Sequence, residues 1–246
     1  MRQSNLLLVP FEKEKLRLVG HNNTVNIYSI MSKTSPDKRL AALLRNTNLW
    51  RASEHHLAAA QQANSHYPGA PTGFAALDAS LPWRGWPANA LIEIITPLWG
   101  AGELQLVLPL LRDISQQGRS ALWVSPPCIP YAPALANAGV DIARMIIVTP
   151  QAHETLWGIE RAMQSSACPV VLAWPGALSG KHIRRLQLAC VTGHTSGFLF
   201  HHRYIRHSNA VLRLRAEADD SALTLTVLKA RGSHRHDRVR LPLETL

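Results

Sequence analysis

The chain has 246 residues, of which 46% are hydrophobic and 17% charged, with a formal net charge of +10. That is enough apolar material for one large α/β domain or two small ones, and it excludes a disordered chain. No apolar run approaches the roughly 20 residues of a membrane span, and "LLLVP" after the first residues is too short for a secretory signal. The expected place is therefore the cytoplasm, with no membrane partner.

Residues 1–37 read as a poorly ordered extension, polar and aperiodic. Met31, followed by "SKTSPDKRLAALLRNTNLW", reads as the true or dominant initiator, with residues 1–30 an extension. Asp37 is placed to cap a helix carrying Leu40, Leu43 and Leu44, and "AAAQQANSHYPGAP", 58–71, reads as a linker. Residues 38–71 thus form a helix and linker ahead of the main domain.

From residue 72 the pattern is regular. Strands are expected at 90–95, 121–125, 145–149, 170–174 and 197–200, and helices at 103–117, 132–138, 152–165 and 181–191. The strands are continuous apolar runs, which suit a parallel sheet covered on both faces. "AVLRLRAEADDSALTLTVLKARG", 210–232, alternates and reads as an antiparallel hairpin extending that sheet. Residues 233–246 read as a basic tail with weak pattern. The fold class is α/β: a doubly wound, mostly parallel sheet over 72–232, ending in an antiparallel hairpin.

The segment "EIITPLWGAGELQL", 93–106, has the strand–turn–helix layout of a phosphate-binding loop, G-x-x-x-x-G-K-[ST]. Its chemistry is missing. Thr96 stands for the first glycine, Glu103 follows Gly102 where lysine belongs, and Leu104 stands for the metal-binding hydroxyl. Gly100 and Gly102 supply backbone freedom, and Glu103 suits the positive end of a helix dipole. The strand "PVVLAWPG" ends in Trp174 and Pro175 instead of a metal-holding acid, and Ser125-Pro126-Pro127 offers no catalytic glutamate. The chain is therefore read as no enzyme, with no catalytic residue, cofactor or metal. The histidine pairs His55/His56, His201/His202 and His234/His236 lack a third ligand and read as solvated. Cys128, Cys168 and Cys190 lack metal or redox spacing and read as buried thiols in a reducing compartment.

Charge is uneven. Lys/Arg number 9 against 4 Asp/Glu in residues 1–70, 5 against 7 in 71–180, and 12 against 5 in 181–246. Basic ends suggest an acidic partner, either nucleic acid or an acidic protein surface. Candidate contacts are Lys181, Arg184 and Arg185 on a helix, and Arg203, Tyr204 and Arg206 after the strand at 197–200, which read either as a phosphate-tracking, base-stacking loop or as a solvated rim. Trp83, Arg84 and Trp86 in "LPWRGWP" read either as core packing or as a partner surface. Trp99 lies in the degenerate loop, where it would fill a nucleotide's space.

The stretch from Pro71 to Leu106 resembles the start of the RecA recombinase core: Thr72, Gly73, Leu77, Asp78, Gly85, Pro87, Glu93 and Ile94 match in order, and "NAGVDIARMIIVTP" matches a later segment. Together "LLRNTNLWRA", "TGFAALDASLPWRGWP", "GELQLVLPLLRDISQQGR", "PPCIPYAPALANAGVD", "RRLQLAC" and "LKARG" are similar to the ImuA family, RecA-related accessory proteins of damage-inducible translesion synthesis, over about residues 38–246. The portion from Glu103 to Phe200 is also similar to SulA, the SOS inhibitor of cell division. The ImuA resemblance implies an inactive RecA-like domain. Its partners would be an ImuB-type polymerase-like protein, RecA and an alternative DnaE-type polymerase, with DNA as a further contact at stalled forks. The SulA resemblance implies FtsZ as partner instead. A third reading is a DNA-stimulated ATPase with an unorthodox loop.

Overall fold

The computed structural model describes residues 19–20, 23–24, 69–219 and 221–242. The helix and start site expected before residue 58, and the pair His55/His56, lie outside the described residues. The chain divides into the units Met1–Gln62 and Ala63–Leu246. In the first, strands β1 (Val19–Gly20) and β2 (Asn23–Thr24) pair antiparallel.

The second unit is built on an eight-stranded sheet. Its strands are β3 (Leu91–Ile95), β4 (Ala121–Val124), β5 (Met145–Val148), β6 (Val170–Ala173), β7 (Ser196–His201), β8 (Leu212–Ala218), β9 (Ala222–Ala230) and β10 (Arg238–Pro242), in the order β10-β9-β8-β3-β7-β6-β4-β5. From β8 to β5 all neighbours are parallel, and β8, β9 and β10 are antiparallel. The expected hairpin is present. The tail at 233–246 departs from expectation: β10 adds a third antiparallel strand, with Val239 and Leu241 buried between exposed Arg238, Arg240 and Pro242.

Alternate residues of each strand feed two cores. Ile92, Ile94, Phe198, Phe200, Leu212 and Leu214 pack beneath α1 (Ala75–Ser80), α2 (Leu108–Gln116) and α3 (Ala132–Asn137). Leu91, Val171 and Leu199 pack on the other face beneath α4 (Thr155–Gln164) and α5 (Gly180–Gly193). Coverage of both faces fails at the edge, where Ile146, Ile147 and Val148 of β5 are exposed. The helix expected over 103–117 is two pieces, a 3-10 turn Glu103–Leu106 and then α2. Pro109 sits in the first turn of α2, where its missing N–H costs no hydrogen bond.

The stretch Thr72–Asp78 is a knot at the head of α1. Thr72 Oγ1 accepts from the Phe74 N–H at 3.1 Å, and Asp78 Oδ1 accepts from the Thr72 N–H at 3.0 Å. Gly73 has φ +87°, and a Cβ there would lie 2.6 Å from Pro109. The linker expected over 58–71 ends sooner, because Ala70 and Trp86 exchange backbone hydrogen bonds of 3.0 and 2.7 Å.

The connection from β7 to β8 is unusual. Both strands run parallel to β3 on its two sides. Parallel crossovers generally use a helix, yet residues 202–211 contain none. Ile205 and Ala210 of this segment join the core that includes Leu91 and α5.

Candidate functional site

The strand ends at which β3, β4, β6 and β7 stop surround a cleft of about 600 Å³. Ligands of open α/β sheets bind at such strand ends. Trp99 follows β3, Ser125 and Pro127 follow β4, Trp174 and Pro175 follow β6, and His202, Arg203 and Tyr204 follow β7.

The turn after β3 is closed by its own side chains. Thr96 is buried and its hydroxyl donates to Leu98 O at 2.8 Å. Gly100 and Gly102 take left-handed φ values of +77° and +90°. Glu103, only 3% exposed, turns back so that Oε1 accepts from the Gly100 N–H at 2.9 Å. In a phosphate-binding loop such N–H groups face phosphate oxygens; here an internal carboxylate takes that place. Glu103 Oε2 is buried with no hydrogen-bond partner. Leu104 packs, partly buried, on the core.

An aromatic column stands where the sequence lacks a metal-holding acid. Trp174 stacks between Trp123, at 5.5 Å between centroids, and Phe200, at 4.8 Å. Trp99 lines the cleft with its ring 3.9 Å from that of His202, whose Nδ1 lies 2.7 Å from Thr96 O.

Below the cleft lies a buried ionic cluster. Glu93, His201 and Arg213 share one face of β3, β7 and β8, and all are at most 4% exposed. His201 Nε2 is 3.1 Å from Glu93 Oε1 and Arg213 Nε 2.7 Å from Oε2, although the Arg213 Nε–H is not directed along a hydrogen bond. A carboxylate only accepts, so His201 donates through Nε2. Ser208 Oγ donates to Glu93 Oε2, Arg213 donates to Ile205 O at 2.8 Å, and Lys229 Nζ donates to Ser208 O at 2.8 Å. The Arg213 guanidinium lies 4.7 Å from the Tyr204 ring centre. Burial pushes the Glu93 carboxyl up, but hydrogen bonds from His201 and Ser208 and the charges of Arg213 and His201 outweigh it and hold it below its ordinary value. Burial and the neighbouring charges of Arg231 and Arg213 push the Lys229 ammonium down, against the pull of Glu93. The cluster thus ties segment 202–211 to the sheet.

The sequence-selected contacts separate into groups. Arg203 and Tyr204 line the cleft, while Arg206 is exposed in the same segment but off its lining. Lys181, Arg184 and Arg185 are exposed on α5, and Arg185 is paired with Glu160 of α4. Arg84 is exposed at φ +50°, and Trp83 is half-buried against the core. Trp86 is not a contact candidate: it is 1% exposed and meets Phe198 edge-on at 5.2 Å. His201 is not solvated, as expected from sequence, but buried. Cys128 is exposed, whereas Cys168 and Cys190 are buried. Among the described residues no group of three His, Cys, Asp or Glu is placed to hold a metal ion, and no helix is long and apolar enough to cross a membrane. Sequence reasoning missed the role of Arg213; the signal was Glu93, a lone charge inside the apolar run "LIEII".

Residues 101–197 match the family model described as cell division inhibitor SulA. This SulA-matching segment runs from the Glu103 turn through α5 to the start of β7. The cell division inhibitor SulA of Photorhabdus laumondii subsp. laumondii is 36% identical over 96 residues, covering 39% of this chain and 54% of that protein. That of Edwardsiella piscicida is 30% identical over 95 residues and 56% of its length, so this chain spans little more than half of either relative. That of Serratia proteamaculans is 26% identical over 138 residues, 55% of this chain and 81% of that protein. The crystal structure of SulA from Pseudomonas aeruginosa aligns at 21% identity with a TM-score of 0.39, covering 48% of this chain and 100% of that one. Half of the cleft wall, including Ser125, Pro127, Trp174 and Pro175, lies inside the SulA-matching segment; Trp99 and residues 201–205 lie outside it.

Proposed function

We propose that this chain is a non-catalytic, SulA-related protein of the bacterial SOS response to DNA damage that works in the cytoplasm by binding other proteins. The observation that carries this reading is the self-occupied turn: Glu103 holds the Gly100 N–H that a phosphate would need. The Trp123–Trp174–Phe200 column beside it supplies no metal ligand. Without a lysine after Gly102, a hydroxyl at Leu104 or an acid at the end of β6, the site lacks the groups that drive phosphoryl transfer.

Two finer roles fall within this reading. Division inhibition through FtsZ has the more direct support, because the relatives named above are described as cell division inhibitors. A role as RecA-like accessory protein of translesion synthesis, with an ImuB-type protein, RecA and a DnaE-type polymerase as partners, is supported by what lies outside the SulA-matching segment. The Thr72–Asp78 knot, the central strand β3 and the basic strands β8 to β10 belong to the same domain as that segment.

The deciding experiment is affinity capture of the tagged full chain from damage-treated cells, with cell length measured after overproduction in undamaged cells. Capture of FtsZ with filamentation supports division inhibition. Capture of an ImuB-type protein or RecA, with normal cell length, supports the accessory role. Turnover of ATP by the purified chain, alone or with DNA, would overturn the non-catalytic reading.

A further inference from the structure

We infer that the cleft at the strand ends docks a segment of a partner protein in which an aromatic or leucine side chain sits beside acidic residues. This rests on the protein-binding reading above and names the chemistry of its partner.

The cleft volume of about 600 Å³ exceeds what one side chain fills and falls in the range of ligand pockets. Its wall is largely apolar and aromatic, with Trp99, Trp174, Pro127, Pro175 and Ile205. No carboxylate belongs to the lining, whereas Arg203 and His202 do, and Arg206 is exposed three residues beyond Arg203. The apolar surface continues along the chain from the same strand ends. Leu98 is 68% exposed after β3 and Ile129 is 90% exposed after β4. Exposed apolar surface of this kind, with arginine and aromatic anchors, marks protein-binding sites.

Two buried polar atoms belong to wall residues and lack partners: Trp174 Nε1 and His201 Nδ1. Tyr204 is 55% exposed yet held in place by Arg213, so little side-chain freedom is lost when a partner packs on it.

The geometry argues against other occupants. A nucleotide would find the Gly100 N–H already taken by Glu103. A nucleic-acid strand needs a track of several cations along its backbone. Arg203 is the one Lys/Arg of the lining, and the basic residues of α5 are not part of it.

The test is selection of peptides from a random display library on the full-length chain, followed by fluorescence titration of synthetic copies of the selected sequences, with Trp99 and Trp174 as reporters. The expected result is enrichment of sequences that pair an aromatic or leucine with aspartate or glutamate. Binding should weaken about tenfold or more in Arg203→Glu and in Tyr204→Ala. Arg184→Glu, on exposed α5, should bind like the parent. Arg203 is exposed, so that variant keeps its fold, which circular dichroism verifies. Selected peptides without acidic residues, equal binding by Arg203→Glu, or no enrichment would each overturn the proposal. So would tighter binding of oligo-dT that displaces the peptide at about 0.15 M salt. If Arg203→Glu still captures the same cellular partners as the parent, the cleft proposal falls while the protein-binding reading stands.

Discussion

Arg213 Nε and Glu93 Oε2 meet at 2.7 Å across β8 and β3, where neither side chain reaches solvent. A charge buried this deeply is tolerated only while its partner is present. Arg213→Met should therefore cost about 3–5 kcal/mol of stability, since it strands the Glu93 carboxylate. The double variant Glu93→Leu/Arg213→Met should recover much of that loss. Urea denaturation of the four proteins of this cycle measures the coupling directly.

The same carboxylate gives an acid signature. Glu93 is held below its ordinary value of 4.5 in the folded state. A depressed carboxyl contributes stability that is fully present above the unfolded value and is lost as pH falls through the folded one. The stability gap between the parent and Glu93→Gln should thus be flat from neutral pH down to about 4.5 and close below it. Denaturation midpoints in a pH series check this, and a gap that widens on acidification would contradict it.

Restoring lysine at the loop should not restore an enzyme. Glu103→Lys replaces the group that satisfies Gly100, while no acid appears at the end of β6. The expected outcome is no ATP hydrolysis with or without DNA, measured by phosphate release, together with a lower melting temperature. Glu103→Ala should lose about 1 kcal/mol, the net worth of its hydrogen bond to the exposed Gly100 N–H.

Gly193 of α5 lies against the backbone at the end of α4. A Cβ there would lie 1.9 Å from Met163 O, a backbone atom that cannot yield without moving α4. Gly193→Ala should cost about 3 kcal/mol, the upper range of overpacking, read as a fall in urea midpoint.

Thiol reactivity should follow burial. Burial pushes the Cys190 thiol up to about 12 and raises Cys168 as well, while Cys128 is exposed. With a thiol reagent at pH 8, one cysteine should react quickly in the native protein and all three after unfolding. Two fast thiols in the native state would contradict this arrangement.

The parallel strands and their helices were legible because long apolar runs alternate with amphipathic segments from residue 90 to 201. The failures have physical causes. Pro109 divides the helix expected over 103–117, since a residue lacking an N–H restarts a helix more readily than it continues one. β10 was hidden because "RVRLP" carries only two inward residues, and its arginines read as tail charge. Arg213 sits at an alternating position that normally faces water; its register partner Glu93, on the neighbouring strand β3 but far away in sequence, reverses that choice. In the site, the missing lysine and acids were visible as letters. What replaced them, a carboxylate folded into its own turn and an aromatic column, depends on rotamers that letters do not encode. Cys128 was expected inside by residue type, but "SPPCIP" follows β4 into an exposed loop.

The crossover of residues 202–211 serves as a tether and as a cleft wall at once. It must travel the length of β3 and step across it, a path of several strand spacings at about 3.3 Å per residue. Without a helix it has little spare contour. Shortening it would drag Arg203 and Tyr204 out of the cleft or Ser208 off Glu93, whereas lengthening it would let the two ends drift independently. The width of the cleft is thereby set by the length of this mostly exposed segment between its anchors, Ser208 on Glu93 and Ala210 in the core.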